Sequence, residues 1–566
     1  MGPCDLPPGV LAEAKRTRTS AVLPGEGGPS LRPAQGSRLS GDLAAALKAG
    51  GGGAGGGESP CRAAGAGPAE DGPERTPVVV VLREGVVRRL EEVFAATGLG
   101  PAGVRPTRVW RRAIEGFAAE LTPTEIGALA AEPSVERIEL DRTVRAHGPR
   151  AMYWVGIEKA RVDFRVTGNR DSVPGAYSTR GIVIAVLDTG IDTGHVDLAG
   201  KVVGWHDVIA GNPEPYDDHG HGTWTSSIAA GAGAGKAAYR GAAPGAALVG
   251  VKVLDASGSG TLSQVISGVE WLIENKGDLN IRVGNMSLGA TGSSDGRDAL
   301  SLAVDRAVEA GIVMCVSAGN GGPRTYTIST PAASRKAVTV GAVIDPSSRG
   351  WALAPFSSRG PTADGRVKPD LCLPGVEITG ALAGTRAGYA TYSGTSASAP
   401  MAAGLAGLML CVRPSLTPAE VKAILIAASS TKDFGPPGPD VDFGAGIANG
   451  HEDVRRAGGF TRTWNDGLSF IYRSGSLPRT GASKTWNFTV SSTSRPVGVT
   501  MVIRDWVPWR DFDLYLYDPT GRLVACSLGV DRQETITYAP KVRGTYRLVV
   551  YSYAGSGSYW LNVSYR

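Results

Sequence analysis

Cysteine is scarce. Six residues in 566, Cys4, Cys61, Cys315, Cys372, Cys411 and Cys526, are scattered with no Cys-x-x-Cys pair. That spacing speaks against a zinc site. Cys315 and Cys411 lie in apolar runs and read as small core hydrophobes. No stretch reaches the roughly 18 consecutive apolar residues of a membrane span, so none is expected. Charge of one sign is also lacking: 58 basic against 53 acidic side chains leave +5. This is too thin for the basic face that nucleic-acid binding requires, so no nucleic-acid partner is expected. Lys15, Arg16 and Arg18 are followed by no apolar segment of the kind that marks an export signal. What the chain has in quantity is glycine: 80 residues, about twice the usual share. With 37 prolines, this points to many turns and close backbone approaches around an otherwise globular composition, 42% apolar and 20% charged.

Four regions follow from the change in texture. Residues 1–76 are rich in Gly, Ala and Pro, too poor in burial to offset ordering entropy, and are expected to be disordered. Residues 77–147 read as a small α+β unit: a β-branched strand at Val78–Leu82, a helix at Val86–Ala95, an extended pair within Val109–Leu121 and a strand at Val135–Leu140. A helix opened by the capping box Thr122–Glu125 completes it. Residues 148–457 alternate apolar strands (Ile182–Leu187, Ala247–Val253, Ile281–Ser287, Ile312–Ser317, Ala337–Val343) with helical patterns such as Leu262–Asn275 and Ala299–Ala310. That alternation predicts an α/β domain with a parallel sheet. Residues 458–566 carry short aromatic-rich strands between Gly, Pro and Asp turns, an all-β sandwich.

Three segments of the α/β region carry chemistry. The strand Ile182–Leu187 ends at Asp188, where open α/β sheets place their sites. Asp217-Asp-His-Gly-His-Gly-Thr223 sets His221 between glycines. Ser393-Gly-Thr-Ser-Ala-Ser-Ala-Pro400 puts Ser396 at the mouth of an apolar helix. A serine hydroxyl needs an imidazole to take its proton, and the imidazole needs a carboxylate to fix its tautomer. Acyl transfer further needs donors for an oxyanion, and Asn320, between glycines after a strand, can supply one. Each residue alone has a plainer reading: Asp188 a turn, His221 a satisfied histidine, Ser396 a helix cap, Asn320 an Asx turn. Their joint occurrence at strand ends favours the chemistry.

With Asp188-Thr-Gly-Ile-Asp192, His219-Gly-His-Gly-Thr223, Ser317-Ala-Gly-Asn320 and Gly394-Thr-Ser396 in this order, the region resembles the subtilisin-like serine peptidases. Gly241-Ala-Ala-Pro-Gly245, Phe356-Ser-Ser-Arg-Gly-Pro361 and Lys368-Pro-Asp370 support it. The resemblance implies a three-layer α/β catalytic domain with Asp188 orienting His221, the general base. Ser396 would be the nucleophile, with Asn320 and the Ser396 N–H as oxyanion donors. It implies no cofactor for the chemistry. It also implies that peptide or protein substrates add as a strand between Gly258, Ser259, Gly260 and Ser287, Leu288, Gly289, with broad tolerance of sequence. Residues 77–147 resemble the inhibitor-like propeptide of such enzymes, through Gly116-Phe-Ala-Ala-Glu-Leu-Thr122 and Pro133-Ser-Val135 with Asp141. This implies an intramolecular inhibitor removed by the enzyme itself near His147–Met152; a permanent regulatory domain is the alternative.

Residues 458–566 resemble the prepeptidase C-terminal, jelly-roll-like domains, on Asp511-Phe-Asp-Leu-Tyr-Leu-Tyr-Asp-Pro-Thr-Gly521. Asp511 and Asp513 would there bind calcium or form a solvated face. Asp197 matches a family calcium ligand, but the loop 231–239 that would complete the site holds no Asp or Asn, and calcium takes six to eight oxygens. Ala397 stands where the family usually has methionine, and Trp224 where it commonly has histidine. The expectation is a monomeric, extracellular serine endopeptidase made as an inactive precursor. An intracellular subtilase and a catalytically silent binding protein are the alternatives.

Overall fold

The computed structural model describes residues 76–83, 93, 106, 108–110, 116–140, 151–170, 175–346, 350–464 and 467–566. The chain divides into two compact units between Ala146 and His147. The expectation of disorder over residues 1–76 falls outside the described residues but for Thr76. So do most of the helix expected at Val86–Ala95, of which Val93 alone is described, Asp141, and the first part of the expected junction near His147–Met152.

In the first unit, a four-stranded antiparallel sheet runs in the order Arg108–Trp110, Gly116–Leu121, Thr76–Leu82, Val135–Leu140. Val78, Val80 and Leu82 are buried at period two, as one face of a strand requires. The helix Pro123–Ala131 starts at the expected capping box: Thr122 Oγ1 accepts from the Glu125 N–H, and the Glu125 carboxylate accepts from the Thr122 N–H. Ile126 and Leu129 of this helix join the core formed by the sheet.

The second unit is built on an eight-stranded sheet. Its order is Ala352–Leu353, Val338–Ile344, Val313–Ser317, Ile281–Met286, Val183–Asp188, Ala247–Lys252, Val202–Asp207, with Leu371–Pro374 also pairing to Val338–Ile344. All pairings are parallel except that of Ala352–Leu353. Both faces are covered, which is why the strands read as unbroken apolar runs. Ile184 and Val186 point into the core under the helices His221–Ala230 and Thr395–Val412. Val183, Ala185 and Leu187 point into the core under Leu262–Asn275 and Ala299–Glu309. The expected three-layer α/β domain is present. Thr395–Val412 has the length and composition of a membrane span, but it is the buried central helix of this core.

The carboxyl-terminal part forms two four-stranded antiparallel sheets. Ser469–Leu477, Gly557–Tyr565, Val497–Ile503 and Gln533–Tyr538 make one; Ser483–Val490, Gly544–Ala554, Asp511–Tyr517 and Leu523–Ser527 make the other. Phe488, Leu514, Val499 and Leu561 fill the space between them, so the expected sandwich is present. Val502 and Trp560 belong instead to the core of the α/β part. The Leu353 N–H donates to Thr500 Oγ1 at 3.0 Å, Ser564 Oγ to Trp351 O at 3.1 Å, and the Gly435 N–H to Asn562 Oδ1 at 2.8 Å. Sandwich and sheet thus share buried apolar surface and buried hydrogen bonds.

Candidate active site

The parallel sheet delivers its chemistry along its carboxyl edge, as open α/β sheets do. Asp188 ends the central strand, Ser287 follows Ile281–Met286, and Asn320 lies three residues past Val313–Ser317. Asp188 is fully buried. Its Oδ1 accepts from its neighbour, the Thr189 N–H, at 2.8 Å, and lies 2.7 Å from His221 Nδ1. A carboxylate can only accept, so Nδ1 carries the proton and Nε2 is left as a bare base. Burial works against a charged imidazole here. The charge and hydrogen bond of Asp188, with Asp217 beyond it, outweigh burial and raise the His221 pKa above its ordinary value.

His221 is the first residue of the helix His221–Ala230, entered from Gly220 at φ 98°. The approach of this helix to Asp188 needs missing side chains. A Cβ on Gly222 would stand 2.1 Å from Gly190 O, and one on Gly190 would stand 2.0 Å from Tyr216 O. The glycines of Asp-Thr-Gly and His-Gly-Thr are therefore one steric requirement, two backbones in contact.

Asp217 fastens the same junction. Its Oδ1 accepts from Thr189 Oγ1 and the Gly220 N–H, and its Oδ2 from the N–H and hydroxyl of Thr223, at 2.6–2.9 Å. Burial alone would raise its pKa; these bonds hold it lowered. Lys252, fully buried, ties Asp218, Thr189 O and Leu254 O together.

Ser396 is the second residue of Thr395–Val412. Its Oγ donates to Ser287 O at 3.3 Å, and Ser287 Oγ donates back to Ser396 O at 3.1 Å. The hydroxyl thus rests on the Ser287 segment, not on His221. Catalytic hydrogen bonds of this kind tighten when substrate arrives. Asn320 Oδ1 accepts from both the N–H and the hydroxyl of Thr395, each at 3.0 Å. This fixes the flip of the amide. Its Nδ2 and the Ser396 N–H take no partner among the described residues. Both groups border a cavity of about 490 Å³ lined by Ser287–Ala290, Ser317 and Thr330. Two open donors beside one hydroxyl form a place for a negative oxygen.

A second cavity, of about 390 Å³, adjoins it. Gly258, Ser259 and Gly260 lie along it with Ser287, Leu288 and Gly289, and His219 and His221 are also in its lining. Both expected substrate segments therefore border one cleft. Trp224 is buried and packs on His221 and Tyr392, with ring centroids 5.9 and 5.5 Å away.

Two participants escape the motif reading. Thr225 Oγ1 donates to Asp188 Oδ2 at 3.3 Å. It stands four residues after His221 on one helix face, a spacing that was available as a signal. Thr395, which holds Asn320 Oδ1, adjoins Ser396 but shows this contact only in three dimensions.

Asp197 does not suit calcium. Its Oδ1 accepts from the Gly235 N–H and its Oδ2 from the Tyr389 hydroxyl, both at 2.9 Å. Donor hydrogens occupy the places where a cation would sit. Asp511 and Asp513 are buried rather than a solvated face, and Asp513 Oδ2 accepts from Tyr515 at 3.3 Å. Among the described residues, no three His, Cys, Asp or Glu side chains cluster to hold a metal.

Comparison with known proteins agrees with this geometry. A model described as Subtilase family matches residues 179–446, and one described as Peptidase inhibitor I9 matches residues 86–147. Serine protease AprX of Bacillus subtilis (strain 168) is 40% identical over 359 residues, covering 59% of this chain and 78% of that protein. The chain belongs to the subtilase family. Subtilisin E of the same organism is 36% identical over 313 residues, covering 55% of this chain and 74% of that protein. The solved structure of Sphericase aligns at TM-score 0.45 and 28% identity, covering 54% of this chain and 99% of that one. This subtilase is a serine endopeptidase made as a precursor with an inhibitor-type segment ahead of its catalytic region. Its relatives need no cofactor for catalysis.

Proposed function

We propose that this subtilase hydrolyses proteins through an acyl-enzyme on Ser396. Substrate lies as a strand between Gly258–Gly260 and Ser287–Gly289, held by backbone groups, which makes side-chain tolerance broad. His221 Nε2 takes the Ser396 proton as Oγ bonds to the scissile carbonyl carbon. Asp188 holds the ring and the positive charge that forms on it. The carbonyl oxygen becomes an oxyanion between Asn320 Nδ2 and the Ser396 N–H. Collapse breaks the C–N bond, and His221 returns the proton to the departing amine. Water, deprotonated by His221, then adds to the acyl carbon, and the C–Oγ bond breaks as His221 returns that proton to Ser396 Oγ and the acid leaves.

The observation that carries this reading is the Asp188–His221 pair at 2.7 Å, with His221 lining one cavity and the Ser396 hydroxyl lining the adjoining one together with two N–H donors that take no partner among the described residues. The I9-type segment inhibits the enzyme until the enzyme cuts it away near His147–Met152. Export is supported by relatives such as the extracellular serine proteinase of Thermus sp. (strain Rt41A), 33% identical and covered over 74% of its length. The enzyme acts as a monomer. Asp197, with both oxygens taken by protein donors, contributes no ligand to a structural calcium.

The test is expression of wild type and Ser396→Ala, followed by intact mass and casein digestion. The wild type shortens and digests casein; Ser396→Ala stays full length and inert. A Ser396→Ala chain that matures unaided would refute self-processing.

A further inference from the structure

Asn320 sits in a loop, residues 319–327, that is gripped from two sides. One side is the segment 356–360. Gly321 donates to Ser358 Oγ, Gly322 to Phe356 O and Thr327 to Arg359 O, at 2.8–3.0 Å. The other side is the carboxyl-terminal sandwich. Arg532, 6% exposed, donates from Nη1 to Pro323 O at 3.3 Å, three residues past Asn320. The Arg324 guanidinium lies 5.6 Å from the Trp506 ring, a cation over an aromatic face.

The charges explain why the loop is drawn in. Arg532 clasps Asp442 with both nitrogens, at 2.6 and 3.2 Å. Arg359, fully buried, stands 3.8 Å from the same carboxylate. Two guanidiniums share that one carboxylate, and buried donors left unmatched are costly. Their Nη groups also take neutral acceptors, Pro323 O for Arg532, and Ala354 O with Gln533 Oε1 for Arg359, the last at 2.5 Å, while the Nε of each is buried with no hydrogen-bond partner among the described residues. Arg532 and Gln533 belong to the sandwich, and Pro323 to the oxyanion loop. The cluster therefore joins the sandwich, the 356–360 segment and the loop in one buried network.

We infer that the carboxyl-terminal sandwich is a working part of the active site, with Arg532 and Trp506 as positioning residues that hold the 319–327 loop and thereby the Asn320 amide. This rests on Asn320 being the oxyanion donor. Such a donor works only within a few tenths of an ångström of its hydrogen-bond distance. A loop released on one side lets the amide drift. Misplacements of ångström size cost orders of magnitude in rate. An anchor that is simply adhesive would change stability and leave turnover per active site alone.

The test uses the full chain as Arg532→Lys and Trp506→Ala, each alone and combined with Asn320→Ala. Active sites are counted by fluorophosphonate titration, and kcat and KM are read on a peptide anilide well below the melting temperature. Arg532→Lys keeps a charge for Asp442 but cannot also reach Pro323. We expect kcat to fall about tenfold with KM within about twofold, and the loss to shrink below about twofold once Asn320 is alanine. Trp506→Ala leaves the buried pair intact and gives a smaller loss with the same dependence on Asn320, so it carries the test if Arg532→Lys does not fold. Equal losses in both backgrounds, or a lower melting temperature with unchanged kcat, would overturn the inference. A wild type that neither labels nor cleaves would instead refute the peptidase reading itself.

Discussion

Asp188 Oδ1 and His221 Nδ1 are hydrogen-bonded at 2.7 Å, with the carboxylate fully buried and the ring at the edge of the cleft. The pair sets how activity depends on pH. His221 must be neutral to accept the Ser396 proton, and Asp188 raises its pKa. Activity is therefore complete at alkaline pH and is lost as pH falls through a midpoint above the ordinary value of about 6.5. Asp188→Asn removes the charge. Turnover should drop about 10⁴-fold, the loss typical of such triads, and the residual activity should show its midpoint at lower pH. Profiles of kcat/KM against pH check both. An unmoved midpoint would contradict the electrostatic role.

Asn320→Ala should lower kcat by about 10²–10³, the cost typical of this donor in the family, with little change in KM. Thr395→Val removes the hydroxyl bond to the Asn320 carbonyl oxygen, keeps the backbone one, and should give an intermediate loss. Steady-state kinetics on one peptide substrate order the three enzymes. A Thr395→Val enzyme equal to wild type would show that the hydroxyl plays no part in orienting the amide.

Ala397, fully buried, follows Ser396, the proposed nucleophile, at the position where the family resemblance leads one to expect methionine. A thioether at that position oxidises to a sulfoxide beside the reacting atoms. Peroxide should spare the wild type and inactivate Ala397→Met. Equal inactivation in a matched time course would place the oxidation liability elsewhere.

Tyr389→Phe tests the Asp197 contact. The Tyr389 phenol is pushed well above its usual range by burial and by Asp197, so it is a donor at any working pH. Its loss leaves a buried carboxylate oxygen unsatisfied and should cost about 1–3 kcal/mol. Melting curves with and without a calcium chelator should show the same drop. A drop that calcium abolishes would restore Asp197 as a metal ligand.

The strand at Val183–Asp188 and the helix Leu262–Asn275 were legible because burial on both faces, or on one, writes itself as apolar runs or 3.6 periodicity. The segments that hold Asp188 and His221 were legible because steric demands place glycines beside them. Ser469–Leu477 and Leu523–Ser527 carry no such signal. Both are edge strands, the first largely exposed, so Ser, Arg and Gly serve them as well as apolar residues would. Val202–Asp207, at an edge of the parallel sheet and with only Asp207 buried, is silent in the sequence for the same reason. Asp197 matched a family position, yet its partners Gly235 and Tyr389 come from distant segments. The cluster of Arg359, Asp442 and Arg532 left no local trace, because its members are scattered along the chain and meet only in the folded unit.

The most direct measurement is site mapping after treatment with a fluorophosphonate. One adduct per molecule, on the peptide that carries Ser396 and absent from both Ser396→Ala and heat-unfolded protein, is the result predicted. Adducts on another serine, or none on a folded and fully matured wild type, would contradict the assignment of Ser396 as the activated nucleophile.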